Sequence, residues 1–112
     1  MIPKPQFTAT LQFHFREHGP ERRHWFMFGD DLHRRVPMQM QGVEGLNTVG
    51  MWVDSAQTFK AGDSVQVRCV VIAPEIYRYI VRSGVEFELW DCGFFATGAV
   101  IERIEEGWPS EV

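Results

Sequence analysis

Cysteine is scarce in this chain: Cys69 and Cys92 are the only two among 112 residues, and they have no paired spacing. That excludes a disulfide-stapled framework. No run approaches the roughly 20 apolar residues of a membrane span. Met1-Ile2-Pro3-Lys4-Pro5 lacks the apolar stretch of an export signal. Together these absences predict a reduced, cytoplasmic protein that does not enter a membrane. Basic charge is also in short supply, with 11 Lys and Arg against 15 Asp and Glu and a net charge of −4. The long-range field is therefore mildly repulsive toward nucleic acid, although local basic patches remain. Repeats, linkers and low-complexity segments are missing, as expected of one domain of this length. The 45% hydrophobic content and nine phenylalanines are enough for a core without disulfides.

What is there is alternation. Phe7, Ala9, Leu11, Phe13 and Phe15 point one way and Thr8, Thr10, Gln12, His14 and Arg16 the other, the period of a half-buried strand. Glu17 to Arg23 is a polar turn. His24 to Phe28 is apolar on both faces, so it is expected to be a strand covered on both sides. After the Gly29-Asp30-Asp31 turn, Val36, Met38 and Met40 alternate with Pro37, Gln39 and Gln41, and Pro37 argues for an edge or a strand start. Gly42 to Asn47 reads as a loop, Thr48 to Val53 as a strand and Asp54 to Gln57 as a polar bend.

From Lys60-Ala61-Gly62-Asp63 the chain turns into a strand with Val65, Val67, Cys69 and Val71 on one face, which Ala73-Pro74 ends. Val85, Phe87 and Leu89 alternate with Glu86 and Glu88, Asp91-Cys92-Gly93 turns, and Phe94 to Ile104 supplies a last apolar strand. About seven short strands at even spacing predict an all-β barrel or sandwich, with no helix of any length. The domain spans 7–104, and 1–6 and 105–112 read as tails.

The run from Phe59 to Ile104, "FKAGDSVQVRCVVIAPE…GVEFELWDCGFFATGAVIERI", resembles the third, C-terminal β-barrel domain of elongation factor Tu. There a Pro-Gly-Asp turn leads into a valine-rich strand closing on proline. A Phe-x-Leu/Ile strand, an acidic-Gly-Gly turn and a Gly-Ala-Gly-Val-Val strand follow. Upstream, Phe7, Ala9 and Leu11 look like that domain's first strand, and Arg23-His24 stands where the family carries an Arg-His pair. The resemblance covers Phe7 to Ile104 and implies a stand-alone antiparallel Greek-key barrel of six or seven strands. Phe7, Leu11, Phe13, Val65, Val67, Val71, Phe87 and Leu89 are expected inside it.

Elongation factors hydrolyse GTP with a separate domain, whose Gly-x-x-x-x-Gly-Lys-Ser/Thr loop wraps the phosphates with backbone amides. That spacing does not occur here. The chain is therefore expected to be non-catalytic and to need no cofactor.

In the family, this domain grips the T-stem backbone of aminoacyl-tRNA through the Arg-His pair and the acidic-Gly-Gly turn. The resemblance thus implies RNA contacts at Arg23, His24, Asp91 and Gly93, with Arg22 beside them. Cys92 replaces a family glycine, and Phe94 stands where the family has arginine. A second basic cluster is His33, Arg34 and Arg35. Guanidinium donors at such positions suit phosphate and ribose contacts, which makes tRNA or other RNA the alternative partner.

The favoured reading is protein binding. Trp25, Phe26, Phe28, Trp52, Trp90, Phe94 and Phe95 exceed what one inner barrel face takes, and exposed aromatics mark interfaces. A free-standing barrel then acts as a mimic of an elongation-factor surface or as an immunity-type inhibitor capping a toxin. The competing account is that these rings fill a core or a homodimer seam.

His14 and His18, four apart, would share a helix face for zinc, but here His14 stands on a strand and His18 already lies in the turn after it, so both read as solvent-facing and no metal is expected. Cys92 has no base placed beside it by spacing, and Asp91 would raise its thiol pKa, so it is not read as a nucleophile.

Residues 75–83 extend the family's short loop. Pro74, Glu75 and the Ile76/Ile80 spacing allow a helical turn, whereas the long flanking strands favour a protruding hairpin. In either form Tyr77, Arg78, Tyr79 and Arg82 are expected to project as an aromatic-basic tip for a protein partner.

Overall fold

A computed structural model describes residues 4–110. Its strands are β1 (Phe7–Phe13), β2 (Trp25–Phe28), β3 (His33–Met40), β4 (Asn47–Trp52), β5 (Gln57–Lys60), β6 (Ser64–Val71), β7 (Glu86–Trp90) and β8 (Phe94–Arg103). Six of them close into an antiparallel barrel in the order β1-β6-β4-β3-β7-β8, with β8 returning to β1. β3, β4 and β6 are neighbours in order and β7 comes back beside β3, which is a Greek key. The all-β barrel expected from the strand spacing is therefore present, closed by six strands. β2 and β5 pair only with each other, as a separate ribbon.

Alternation explains the register. Leu11 faces Val65, Ala9 faces Val67 and Phe7 faces Cys69, so that inward residues oppose inward residues between β1 and β6. Of the eight residues expected inside, seven are buried. Val65 is only half-buried, because it lies at the open start of β6 and packs against the rim of the core. Pro37 sits where β3 bonds β4 but has not yet met β7, whose pairing begins at Met38. A residue without an N–H is tolerated there.

The ribbon is covered on one face, not two. Phe26, Phe28 and Phe59 point inward: Phe26 stacks on Phe13 and Phe95, Phe59 on Phe13, and Phe28 meets Phe26 and Phe59 edge-on, plugging one end of the barrel. Trp25 and Met27 face out, 41% and 45% exposed. The bend expected at 54–57 runs straight into β5, whose short pattern holds a single buried residue, Phe59. The first strand also ends before Phe15, which adopts a left-handed φ of 51° that returns its ring to the core.

The opposite end is closed by the segment expected to protrude. Pro74–Tyr77 forms one helical turn, α1, with proline at its start. Tyr77 is fully buried and Val81, four residues on, is also in the core. The hairpin expectation is thus corrected: burying these two side chains over the barrel mouth wins over extending the sheet.

The tails also pack. Gln6 is buried, donating its N–H to Cys69 O at 2.9 Å and accepting from Val71 N–H on its Oε1 at 2.7 Å. Glu105–Gly107 makes a 3₁₀ turn that delivers Trp108 into the core, where its indole N–H donates to Gln6 O at 3.1 Å. Gly107 leaves no room for a side chain, since a Cβ would sit 2.1 Å from Pro5 O. The outermost parts of both expected tails, 1–3 and 111–112, lie outside the described residues.

Candidate binding face at the ribbon end

The β7–β8 hairpin ends in a tight tip. Cys92 has φ 51° and Gly93 φ 135°, and Asp91 N–H bonds Gly93 O at 3.0 Å. A left-handed pair suits glycine at its second position and strains cysteine at its first. The turn after β1 packs on this tip. Phe94 N–H donates to Glu17 Oε1 at 3.1 Å, and a Cβ on Gly93 would lie 3.2 Å from Glu17 O.

His18, expected to face solvent, is instead buried here between two carbonyls. Its Nε2 lies 2.9 Å from Asp91 O and its Nδ1 3.3 Å from Arg23 O. Both ring nitrogens thus face a backbone acceptor, and Asp91 O is the nearer. His14 stays half-buried on β1's end, its Nδ1 accepting from Arg16 N–H at 3.0 Å. Burial first, and then the Arg16 charge, hold its pKa below the usual histidine value.

This packing gathers all five RNA-contact candidates. Arg22 and Arg23 reach Asp91's carboxylate at 3.9 and 3.8 Å, and Arg22 also donates to Asp91 O and Cys92 O. His24 lies flat on Phe15, with ring centres 6.1 Å apart and planes 3° apart, and its Nε2 is 3.0 Å from Gly19 O. Gly93 completes the group at the tip.

The sequence placed Arg34 and Arg35 in a separate cluster. The structure joins them to the first one, because the short β2–β3 connection brings Arg34 back beside Met27. Arg34 donates to Met27 O at 2.7 Å, and its guanidinium stacks 4.2 Å from the centre of Phe26. Burial first, and then the nearby Arg23 charge, lower its pKa. Arg23 itself sits 5.0 Å above Trp25. Between the arginines lies a cleft of about 250 Å³, lined by Arg23, Phe26, Arg34, Arg35, Val36, Pro37, Trp90 and Asp91. The signal available in the sequence was the Gly29-Asp30-Asp31 turn, since a connection of only four residues, Gly29 to Leu32, keeps the start of β3 near the end of β2.

The protein-interface candidates divide between the two ends of the barrel. Trp90 and Phe94 are half-buried at the hairpin tip. Trp52 is half-buried as well, stacked on His33 at 4.2 Å across the β3–β4 pair. At the other end the expected tip is dismantled. Tyr77 is core, and Arg78 donates to Pro109 O. Tyr79 (76% exposed) and Arg82 remain outside.

Among the described residues no group of three or more His, Cys, Asp or Glu is arranged to hold a metal, and no helix is long and apolar enough to cross a membrane. No known family model matches the chain, and no curated protein is significantly similar to it.

Proposed function

We propose that this chain is a non-catalytic protein-binding module whose contact face is the ribbon end of the barrel. One observation carries the reading: β2 turns Trp25 and Met27 outward, 41% and 45% exposed, with Arg23 over the Trp25 ring, and Arg23 also lines the neighbouring cleft with Arg34, Arg35 and the half-buried Trp90. Tryptophan, methionine and arginine are enriched in interfaces, and a contiguous group of them is the composition of a hot spot. A closed six-stranded Greek-key barrel is also the architecture implied by the resemblance to the third domain of elongation factor Tu. That supports a cytoplasmic role as a mimic of an elongation-factor surface or as an immunity-type cap on a toxin.

The test is affinity capture from cytosol treated with RNase, using the wild-type chain and a Trp25→Ser/Met27→Ser variant. Both substituted side chains face solvent, so the barrel stays folded. A protein that survives RNase and is lost from the variant is the expected result. Adding excess elongation factor Tu separates the two forms, since it competes for a mimic's partner and not for a toxin. Capture that depends wholly on RNA overturns the proposal.

RNA-backbone binding is the second reading, favoured by the convergence of Arg22, Arg23, His24, Asp91 and Gly93 at one tip. Against it stand the net charge of −4 and the engagement of both arginines by Asp91. Under this reading a gel shift with bulk tRNA weakens with salt and with Arg23→Ala. No shift at roughly 10 µM protein in low salt removes it.

A further inference from the structure

We propose that the cleft beside Trp90 seats a single acidic side chain of the protein partner, an aspartate or glutamate carried in an apolar segment. The inference rests on the protein-binding reading above and names the chemistry that the face recognises.

Charge complementarity comes first. Three guanidiniums, from Arg23, Arg34 and Arg35, line the cleft against one carboxylate, that of Asp91. Asp91 is already committed to Arg22 and Arg23. No ion pair engages Arg34 or Arg35 among the described residues. An entering carboxylate therefore meets a net excess of positive charge, three guanidiniums against one carboxylate, and arginine's planar fork matches it geometrically.

Preorganisation comes second. The bond from Arg34 to Met27 O and its stacking on Phe26 hold the guanidinium in place before anything binds. Little rotamer entropy is then left to lose on binding. Arg34 is also partly desolvated, which strengthens its attraction to an anion relative to a fully hydrated charge.

Shape selects the source of the anion. At about 250 Å³ the cleft holds one side chain rather than a strand of backbone, and Phe26 and Trp90 offer apolar walls for the residues flanking it. A nucleic-acid backbone needs a row of cations. Here Asp91 is part of the lining and the whole chain carries −4, which disfavours a run of successive phosphates.

The experiment screens short random peptides displayed on phage against the full chain, with single-stranded oligouridine as a separate probe, followed by anisotropy titrations. Thermal unfolding first checks that each variant is folded. The expected consensus is Asp or Glu beside apolar residues. Arg35→Glu, on an exposed residue, weakens such a peptide about tenfold. Asp91→Asn frees Arg22 and Arg23 and tightens it about fivefold, opposite in sign to anything that mere loss of structure produces. Arg34→Lys keeps the charge, loses the fork and gives an intermediate loss. Enriched peptides without an acidic residue, unmoved by Arg35→Glu, overturn the cleft proposal and leave the protein-binding reading standing. No enriched peptide together with tight oligouridine binding overturns both.

Discussion

The two cysteines sit in opposite surroundings. Cys69 is fully buried on the inner face of β6, and burial pushes its thiol pKa far up, while Cys92 is exposed on the hairpin tip. Folded Cys69 thus keeps a proton that the unfolded chain gives up above its ordinary pKa of 9.0. The folded state binds more protons than the unfolded one in that range, so stability is complete below pH 9 and falls as pH rises. The slope is about 1.4 kcal/mol per pH unit. Burial raises Tyr77 in the same direction, adding to the loss above pH 10.0. Urea midpoints measured from neutral to alkaline pH check this, and Cys69→Ala is expected to flatten the first part of the slope. A thiol reagent should label Cys92 in the native protein and reach Cys69 only after denaturation. Both environments were legible, one from strand alternation and the other from a turn. The burial of His18 was not. It lies in a polar run, and its acceptor Asp91 is 73 positions away, a contact that no local pattern encodes.

At the scale of elements, α1 shows where propensity stops deciding. Tyr, Ile and Val are indifferent to helix, and the flanking strands favoured a hairpin, yet the turn forms because Tyr77 and Val81 cover the barrel mouth. Tyr77→Ala is expected to cost about 3–5 kcal/mol, read from denaturant unfolding, since it leaves a ring-sized void. β7 and β8 hold a second such contact. Gly98 lies opposite Phe87, and a Cβ there would come within 2.2 Å of the Phe87 ring. Gly98→Ala should therefore destabilise by about 1–3 kcal/mol. Phe87→Leu in the same chain should recover part of that loss, and a double-mutant cycle measures the coupling. β1, β3, β6 and β7 were readable because their buried residues alternate, whereas β4 and β8, which bury neighbouring residues at 49–51 and 95–96, were readable as apolar runs between turns. The ribbon was half readable: β2 looked apolar on both faces, and nothing local says that only the face of Phe26 and Phe28 meets the barrel core.

For the whole molecule, the β1–β8 pairing that closes the barrel is fastened at its outer end by the clasp between Gln6 and Trp108. Arg103 stacks on the Trp108 ring at 4.4 Å and donates to Arg78 O and Val81 O, which ties the clasp to the capping segment. Trp108→Ala is expected to cost about 3–5 kcal/mol, and a differential scan should show the melting temperature falling by at least 10 °C or so. An unchanged melting temperature would mean that the clasp contributes nothing. The clasp also decides how the barrel answers mechanical load. Gln6 and Trp108 lie side by side at the outer ends of β1 and β8, which run antiparallel from Phe7 opposite Arg103. Force applied to the two ends in opposite directions breaks the clasp and then opens the β1–β8 hydrogen bonds one after another, like a zipper. The barrel therefore yields to tension at low force, even though heat must break its whole core at once.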